Sequence, residues 1–535
     1  MNRKKSIASS YQKKPYLILV SIVVWGSLVV VAFWPWVHRY DISNPTLSIL
    51  AHISAWIWWI ILLWALHHLT YQLSSLFSKE TPTIERHNNR LAIAVLYTTC
   101  DDFNTASCSS CLDQNYKDFK FYVCDDSKKP EYKKIVEDFV SEHSGKCELI
   151  RRPTNSGFKA GNLNYAIEHH VKEEWILLVD ADQILPATYI WDFVERLPNG
   201  DSEVAFVQAA QRSISESDNG RQAGSPFQKA LSPGISLYYF RDMDHRESCG
   251  FVPLLGHGAM IRRSAWTEIG RFPEIVSEDF GFALNAANKR QRGKYLEDVI
   301  SYEEFPSDFG SFMIRLKKFA SGTAELSRSG VFTFLLGSAK IVEKWDFIMM
   351  LFWYILTPFV VLNGFLGAFV TFRLCEEGLP FLHPVLPYLY TFMLFGILAL
   401  QVSVTDKFAA TVRFYFWSSA IYTAALPIAG WSFFKHLFSK PAFVTTPKNN
   451  EEGKLPVRES VLMVLLGLTA MICAIKWFSP FSPILIGQGF AYLCFPLYRK
   501  LNSNHFLGKF SRLIVMLPGI SMLLALLAVW LWTRV

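Results

Sequence analysis

Apolar positions gather at the two ends of the chain and thin out in its middle. Residues 16–36 and about 48–66 form runs long enough to cross ~30 Å of hydrocarbon, which predicts a pair of membrane helices. The first run follows Arg3-Lys4-Lys5 and Lys13-Lys14, a flank that places the N-terminus in the cytoplasm. It ends in Phe33-Trp34-Pro35-Trp36, an interface-anchoring pattern rather than the small residues of a cleaved leader. Residues 80–345 read differently. Short apolar runs at Leu91–Tyr97, Phe119–Cys124, Trp175–Val179 and Val204–Val207 alternate with charged, helix-like stretches such as Glu131–Ser144. That rhythm predicts an α/β, Rossmann-like domain with a mostly parallel sheet.

From residue 346 the chain turns apolar again, with predicted spans at 349–372, 385–405, 459–478, 480–498 and 512–532. Arg499, Lys500, Lys509 and Arg512 share one predicted cytoplasmic loop. The aromatic stretch 408–437 is long enough to cross, but crossing would put the basic residues of 438–457 outside the cell; an interfacial helix keeps them inside. Three regions result: a membrane region over 1–79 with two helices, a cytosolic domain over 80–345, and a membrane region over 346–535 with about five helices. This is the layout of a multi-pass protein with its soluble domain in the cytoplasm, as in a bacterial inner membrane.

Composition narrows the class. Of 535 residues 51% are hydrophobic and 19% charged, too apolar for a soluble chain of ordinary make-up and incompatible with a disordered one. The net charge of +7 suits anionic lipid or phosphorylated ligands, but the Lys and Arg form no basic stripe, so nucleic acid is not a predicted partner. The odd count of nine Cys fits reduced cytosolic thiols; Cys100, Cys108, Cys111 and Cys124 lie close together but lack the paired spacings of a zinc site. His67-His68 and His169-His170 likewise have no partners at ligand spacing, and read as surface or interfacial histidines.

The chemistry lies in the middle region. Leu177-Leu178-Val179-Asp180-Ala181-Asp182 is an apolar strand ending in two carboxylates, which places them at the carboxyl edge of a sheet, where ligands bind in open α/β folds. Their hard oxygens favour Mg²⁺ or Mn²⁺, an ion able to neutralise a diphosphate. Val123-Cys124-Asp125-Asp126-Ser127 is a second strand ending in carboxylates. Between the two, Asn155-Ser156-Gly157-Phe158-Lys159-Ala160-Gly161-Asn162-Leu163-Asn164 offers glycines for close backbone approach and a lysine that can meet a phosphate. In Ser277-Glu278-Asp279, clustered carboxylates can raise one pKa towards that of a general base.

In that order these motifs resemble family 2 glycosyltransferases, and the stretch Gly256-His257-Gly258-Ala259-Met260-Ile261-Arg262-Arg263 is similar as well. The resemblance covers roughly 90–325 and is to the cellulose synthase-like branch, which includes curdlan, chitin and hyaluronan synthases. It implies a GT-A fold and a UDP-sugar donor. Thr98, Asp101, Asp125 and Asp126 would hold uridine, with Lys159 near the nucleotide; Asp180 and Asp182 would hold the metal–diphosphate. Asp279 would be the catalytic base, with Glu278 beside it facing the acceptor. Polymerising members carry Q-x-x-R-W, where this chain reads Arg315-Leu316-Lys317-Lys318-Phe319. By that match Arg315 and Lys318 would meet the donor, and Phe319 would stack on the acceptor sugar with a smaller ring. Phe443-Val444-Thr445-Thr446-Pro447-Lys448, within 441–450, resembles the F-x-V-T-x-K gating loop of cellulose-type synthases, so Phe443, Thr446 and Lys448 would face the bound donor.

The resulting expectation is an inverting, processive synthase that elongates a β-linked polysaccharide at the inner face of the membrane and exports it through its own helices. The alternatives are a single-sugar transferase acting on a lipid-linked acceptor, and a catalytically inactive transport or assembly partner. No protein partner is indicated.

Overall fold

A computed structural model describes residues 16–34, 42–77, 91–197, 203–214, 224–378, 414–441, 453–479, 482–503 and 505–532. Among them, eight strands form one sheet: β1 Ile93–Thr99, β2 Phe119–Asp125, β3 Cys147–Ile150, β4 Trp175–Asp180, β5 Gln183–Ile184, β6 Val204–Ser213, β7 Ala259–Arg262 and β8 Arg292–Glu303. Their order across the sheet is β3-β2-β1-β4-β7-β6-β8-β5. The half from β3 to β4 is parallel throughout. In the other half β6 and β8 are parallel, whereas β7 runs against both of its neighbours. This is the predicted Rossmann-like, mostly parallel sheet.

The apolar runs become strands because both faces of the sheet are covered, and every residue of β1 is buried. Ala94, Leu96, Ile176 and Leu178 point to one side, where Leu163, Ala166 and Ile167 of helix Phe158–His169 and Phe282 of helix Glu278–Asn288 meet them. Ile93, Val95, Tyr97, Leu177 and Val179 point to the other, against Cys108 and Cys111 of helix Thr105–Leu112 and Val136 and Phe139 of helix Pro130–Glu142. The two-residue alternation of a strand thus feeds two separate cores. β1, β2 and β4 end level with one another, because Thr99 pairs with Asp125 and Thr98 with Asp180. That shared edge is where the carboxylates collect.

A third core joins the domain to the apolar helices. Phe309, Phe312, Met313 and Leu316 of helix Phe309–Ser329 pack with Ile421, Ala424, Ala425 and Phe433 of helix Ser419–His436, and with Tyr492, Phe495 and Tyr498. Asp308 starts the first of these helices, its carboxylate accepting the amides of Gly310 at 2.8 Å and Ser311 at 3.1 Å. Gly310 meets the backbone of Gly453 so closely that neither position has room for a Cβ.

Among the described residues three helices are long and apolar enough to cross a bilayer: Pro45–His68 within helix Pro45–Phe77, Ile341–Glu376 and Val457–Lys476. The apolar segment Ile18–Val31 is shorter. The predicted span 385–405 and the start of 408–437 lie outside the described residues. Two other predicted spans are divided. Residues 480–498 give helices Ser482–Leu493 and Phe495–Tyr498, and 512–532 is shared between Phe506–Ile514 and Leu517–Trp532. Pro496 and Pro518 stand in the first turn of the second helix in each case, where a residue without an N–H interrupts the ladder.

His67 is not a surface histidine. Its Nε2 lies 3.2 Å from Asp346 Oδ1, and both side chains are fully buried. Asp346 Oδ2 accepts from Arg246 Nη1 at 2.8 Å and from the Phe251 amide at 2.9 Å. One carboxylate therefore ties the helix Ile341–Glu376 to the domain and to the helix Pro45–Phe77. Removing one partner of a buried pair typically costs ~3–5 kcal/mol. Asp346→Ala is expected to lower the thermal midpoint of the detergent-solubilised protein by a margin of that size. An unchanged midpoint would show that this joint bears no strain.

Candidate active site

The site is built on the shared strand edge. Asp180 ends β4, and its Oδ1 accepts from Thr98 Oγ1 at 2.9 Å and from Lys159 Nζ at 2.5 Å. Lys159 also donates to the Gly256 carbonyl at 2.9 Å. The glycine there is required twice over: its φ is +79°, and a Cβ would stand 2.9 Å from Asp279 Oδ2. Asp279 and Glu278 occupy the first turn of helix Glu278–Asn288. A glycine-supported turn thus sets the Asp180–Lys159 pair beside the Glu278–Asp279 pair.

Electrostatics follow from this crowding. Burial pushes the Glu278 carboxyl well above the ordinary glutamate range, and the neighbouring Asp279 charge pushes it further; Lys159 and Lys318 pull the other way. Asp279 is also raised, by burial first, against the Phe280 amide that its Oδ1 accepts at 2.8 Å and the charges of Lys159 and His257. Burial opposes the charge of Lys159, yet Asp180 and Glu278 outweigh it and lift the lysine above its ordinary value. A carboxylate whose pKa is raised is a stronger base than an ordinary one, which suits proton acceptance.

The carboxylates at the end of β2 have other partners. Asp125 Oδ2 takes Arg151 Nε at 2.8 Å and its Oδ1 the Ser127 amide at 2.9 Å. Asp126 is gripped by Arg152 through Nε at 2.9 Å and Nη2 at 2.6 Å, a two-pronged pair. Asp101, at φ +59°, accepts the amides of Lys128 at 2.8 Å and Lys129 at 2.9 Å. These three acids therefore shape the end of the cleft as fixed, satisfied groups. Arg151 and Arg152 gave no signal in the sequence beyond their adjacency.

Much of the glycine-rich run is architecture. Asn155 and Asn162 donate to the Asp126 carbonyl at 2.9 Å and the Cys124 carbonyl at 3.0 Å, and Asn164 exchanges two hydrogen bonds with the Phe272 backbone. Gly157 and Phe158 both have positive φ, which turns the chain sharply into the helix that carries Lys159. Burial raises the thiol pKa of Cys108, Cys111 and Cys124, leaving them unreactive core residues.

The opposite wall is the helix Phe309–Ser329. Arg315, Lys318, Phe319 and Gly322 recur at helical spacing on one face. Gly322 lies so close to Ser277 that any Cβ would strike its hydroxyl, which brings the helix against the loop leading to Glu278. The Phe319 ring is 45% exposed, and the Arg315 guanidinium stands 5.4 Å from its centroid. Arg315 Nη2 donates to Glu303 Oε1 at 2.7 Å. The gating-like residues Phe443, Thr446 and Lys448 lie outside the described residues.

The model of "Glycosyl transferase family group 2" matches residues 175–429. The catalytic subunit of cellulose synthase 1, the UDP-forming enzyme of Komagataeibacter xylinus, is 30% identical over 182 residues, 33% of this chain and 22% of the relative. A probable glycosyltransferase of Sulfolobus acidocaldarius is 22% identical over 68% of this chain and 77% of its own length. The probable glucomannan 4-beta-mannosyltransferase 10 of Arabidopsis thaliana is 24% identical over 44% and 42%. Among solved structures, the mannosyltransferase PcManGT of Pyrobaculum calidifontis, in complex with GDP-Man and Mn²⁺, superposes with a TM-score of 0.49 at 16% identity, over 73% of this chain and 100% of that one. The match spans less than a quarter of the length of the cellulose synthases. Residues 175–429 thus carry a domain of the glycosyl transferase family group 2.

Two outcomes test the site's construction. In Gly161→Ala the new methyl would collide with the Ser156 carbonyl and the Arg152 guanidinium, so a loss of ~1–3 kcal/mol is expected in chemical denaturation; wild-type stability would mean that this loop yields freely. A carboxyl whose pKa folding raises supports stability fully below its unfolded value, and that support is lost as pH rises through the folded one. For Glu278 the loss begins above its ordinary value of 4.5. Glu278→Gln should therefore gain stability relative to wild type as pH rises, and parallel stability–pH curves would refute the raised carboxyl.

Proposed function

We propose that the protein is an inverting, processive glycosyltransferase that uses a UDP-sugar to elongate a β-linked polysaccharide at the inner face of the membrane, passing it outward between its own helices. The observation that carries this reading is the meeting of Asp180, Lys159, Glu278 and Asp279 at one strand edge, opposite a half-exposed aromatic ring. The names of the relatives, a UDP-forming cellulose synthase and a glucomannan mannosyltransferase, support the substrate class. Apolar helices joined to the domain through a shared core support a membrane setting.

In this reading uridine lies over the ends of β1 and β2, beside Thr98, Asp101, Asp125 and Asp126. The diphosphate faces Lys159 and Lys318, and the acceptor sugar lies on Phe319 near Glu278. The Asp279 carboxylate takes the proton of the acceptor hydroxyl as that oxygen bonds to the anomeric carbon. The anomeric carbon–oxygen bond to the diphosphate breaks, UDP leaves with its electron pair, and the carbon inverts. A donor with an α-linked sugar thus gives a β-linked product.

The residues present fit a hard divalent cation. Asp180 already has a cation, the Lys159 ammonium, on its Oδ1, and Asp182 adds a second carboxylate two residues on. Two carboxylates suit Mg²⁺ or Mn²⁺ completed by diphosphate oxygens; among the described residues no cluster of three or more ligating side chains is found. Such an ion, when bound, would supply charge for the leaving diphosphate.

The altered Arg315–Phe319 segment favours the second reading, transfer of one sugar to a lipid-linked acceptor. Full-length protein in lipid nanodiscs, given radiolabelled UDP-sugars with Mg²⁺ or Mn²⁺, separates the two. High-molecular-weight product is expected; a lipid bearing a single sugar would replace the synthase with the second reading. Asp279→Asn is expected to lower turnover by at least ~10²-fold with UDP binding retained. Unchanged turnover would remove the base from Asp279.

A further inference from the structure

Glu303, the last residue of β8, is an acid in a place that does not suit one. Its side chain is 3% exposed, and in register it stands beside Gln183, just past Asp180 and Asp182. A buried carboxylate is tolerated only with cationic or donor partners, and here these can be traced in order. The Tyr239 hydroxyl donates to Gln211 Oε1 at 2.7 Å, and Gln211 Nε2 donates to His257 Nδ1 at 2.6 Å. That leaves the hydrogen on His257 Nε2, which faces Glu303 Oε2 at 3.6 Å. The other oxygen, Oε1, holds Arg315 Nη2 at 2.7 Å. Strands β6 and β8, the turn at Gly256–Gly258 and the helix Phe309–Ser329 are thereby locked together by one polar chain.

What this chain fixes is a cation behind a ring. Arg315 precedes Phe319 by one helical turn and stands over its face, while the remainder of the ring is open to the cleft. Asp182 also attracts Arg315, so without Glu303 the guanidinium has a competing anion on the side of the diphosphate. We propose that Glu303 is a positioning residue: by holding Arg315 away from the donor it fixes the Phe319 ring as a sugar-binding platform and so sets acceptor affinity. This assigns Arg315 to the acceptor side, with Lys159 and Lys318 left to face the diphosphate, and it rests on the reading of Phe319 as the acceptor platform. A phenyl ring smaller than an indole gains orientation from the guanidinium stacked on it, and a neutral side chain at 315 could not supply this.

Binding of soluble β-1,4-linked gluco- and manno-oligosaccharides to the full-length protein in nanodiscs tests the assignment, with UDP binding measured alongside. Glu303→Gln is expected to weaken oligosaccharide binding about tenfold with UDP affinity unchanged, since a lost or displaced cation–π contact is worth about that much. Glu303→Asp, which keeps the anion, should recover most of the loss. If Phe319→Ala weakens oligosaccharide binding but Glu303→Gln does not, the positioning role is overturned while the platform stands. If Glu303→Gln weakens oligosaccharide and UDP binding together, Glu303 is structural and the proposal fails. Wild-type binding in Phe319→Ala would overturn both the platform and the proposal.

Discussion

Three carboxylates, Asp180, Glu278 and Asp279, gather around the ammonium of Lys159 at the end of the sheet, and that one cation is what lets them stay there. Like charges gathered in one cleft repel one another. Lys159 meets this by bonding to Asp180 directly and by facing Glu278 and Asp279 from burial. Burial, and for Glu278 the neighbouring Asp279 charge, nevertheless raise the carboxyl pair on the helix. Its second bond, to the Gly256 carbonyl, fixes the turn against which Asp279 rests. Metal, donor and acceptor would each enter a site arranged around this one group.

Around that centre the fold supplies rigidity in two ways. Parallel strands buried on both faces deliver Thr98, Asp125 and Asp180 to a common level. Buried polar chains then lock the loops that strands cannot reach: Arg151 and Arg152 on the β2 acids, the paired amides of Asn164 and Phe272, and the line from Tyr239 to Arg315. Each is satisfied at both ends, so each specifies one arrangement rather than several. The helix Phe309–Ser329 has two faces with different tasks, one closing the cleft and one packed on Ser419–His436. Movement of the helix Ser419–His436 would therefore reach the cleft through this packed element.

Much was legible in the chain itself, for reasons of periodicity and punctuation. An apolar run ending in Asp180-Ala181-Asp182 could hardly be other than a strand delivering acids to an edge. Strands of four residues such as Cys147–Ile150 and Ala259–Arg262 were not foreseen, because runs that short carry no period. The antiparallel β7 was equally hidden, since direction depends on where the chain crosses over. Among site residues, Arg151, Arg152, Gln211 and Glu303 were missed. Their partners lie at separations from 12 to 46 residues that follow no motif, and an arginine beside an arginine looks like any solvated surface.

The sequence by itself determined the division into apolar ends and an α/β middle, the strand ends that carry acids, and the glycines that bring backbone close to them. These are local properties, written in spacing and residue type. The tertiary structure decided which acids are already paired and which face the cleft, that His67 is buried against Asp346 rather than exposed, and that Arg315 is turned towards Glu303. It also divided two apolar runs that length alone had predicted to be continuous. Such choices depend on the balance of burial and charge among groups far apart in the chain, and that balance exists only once they are brought together.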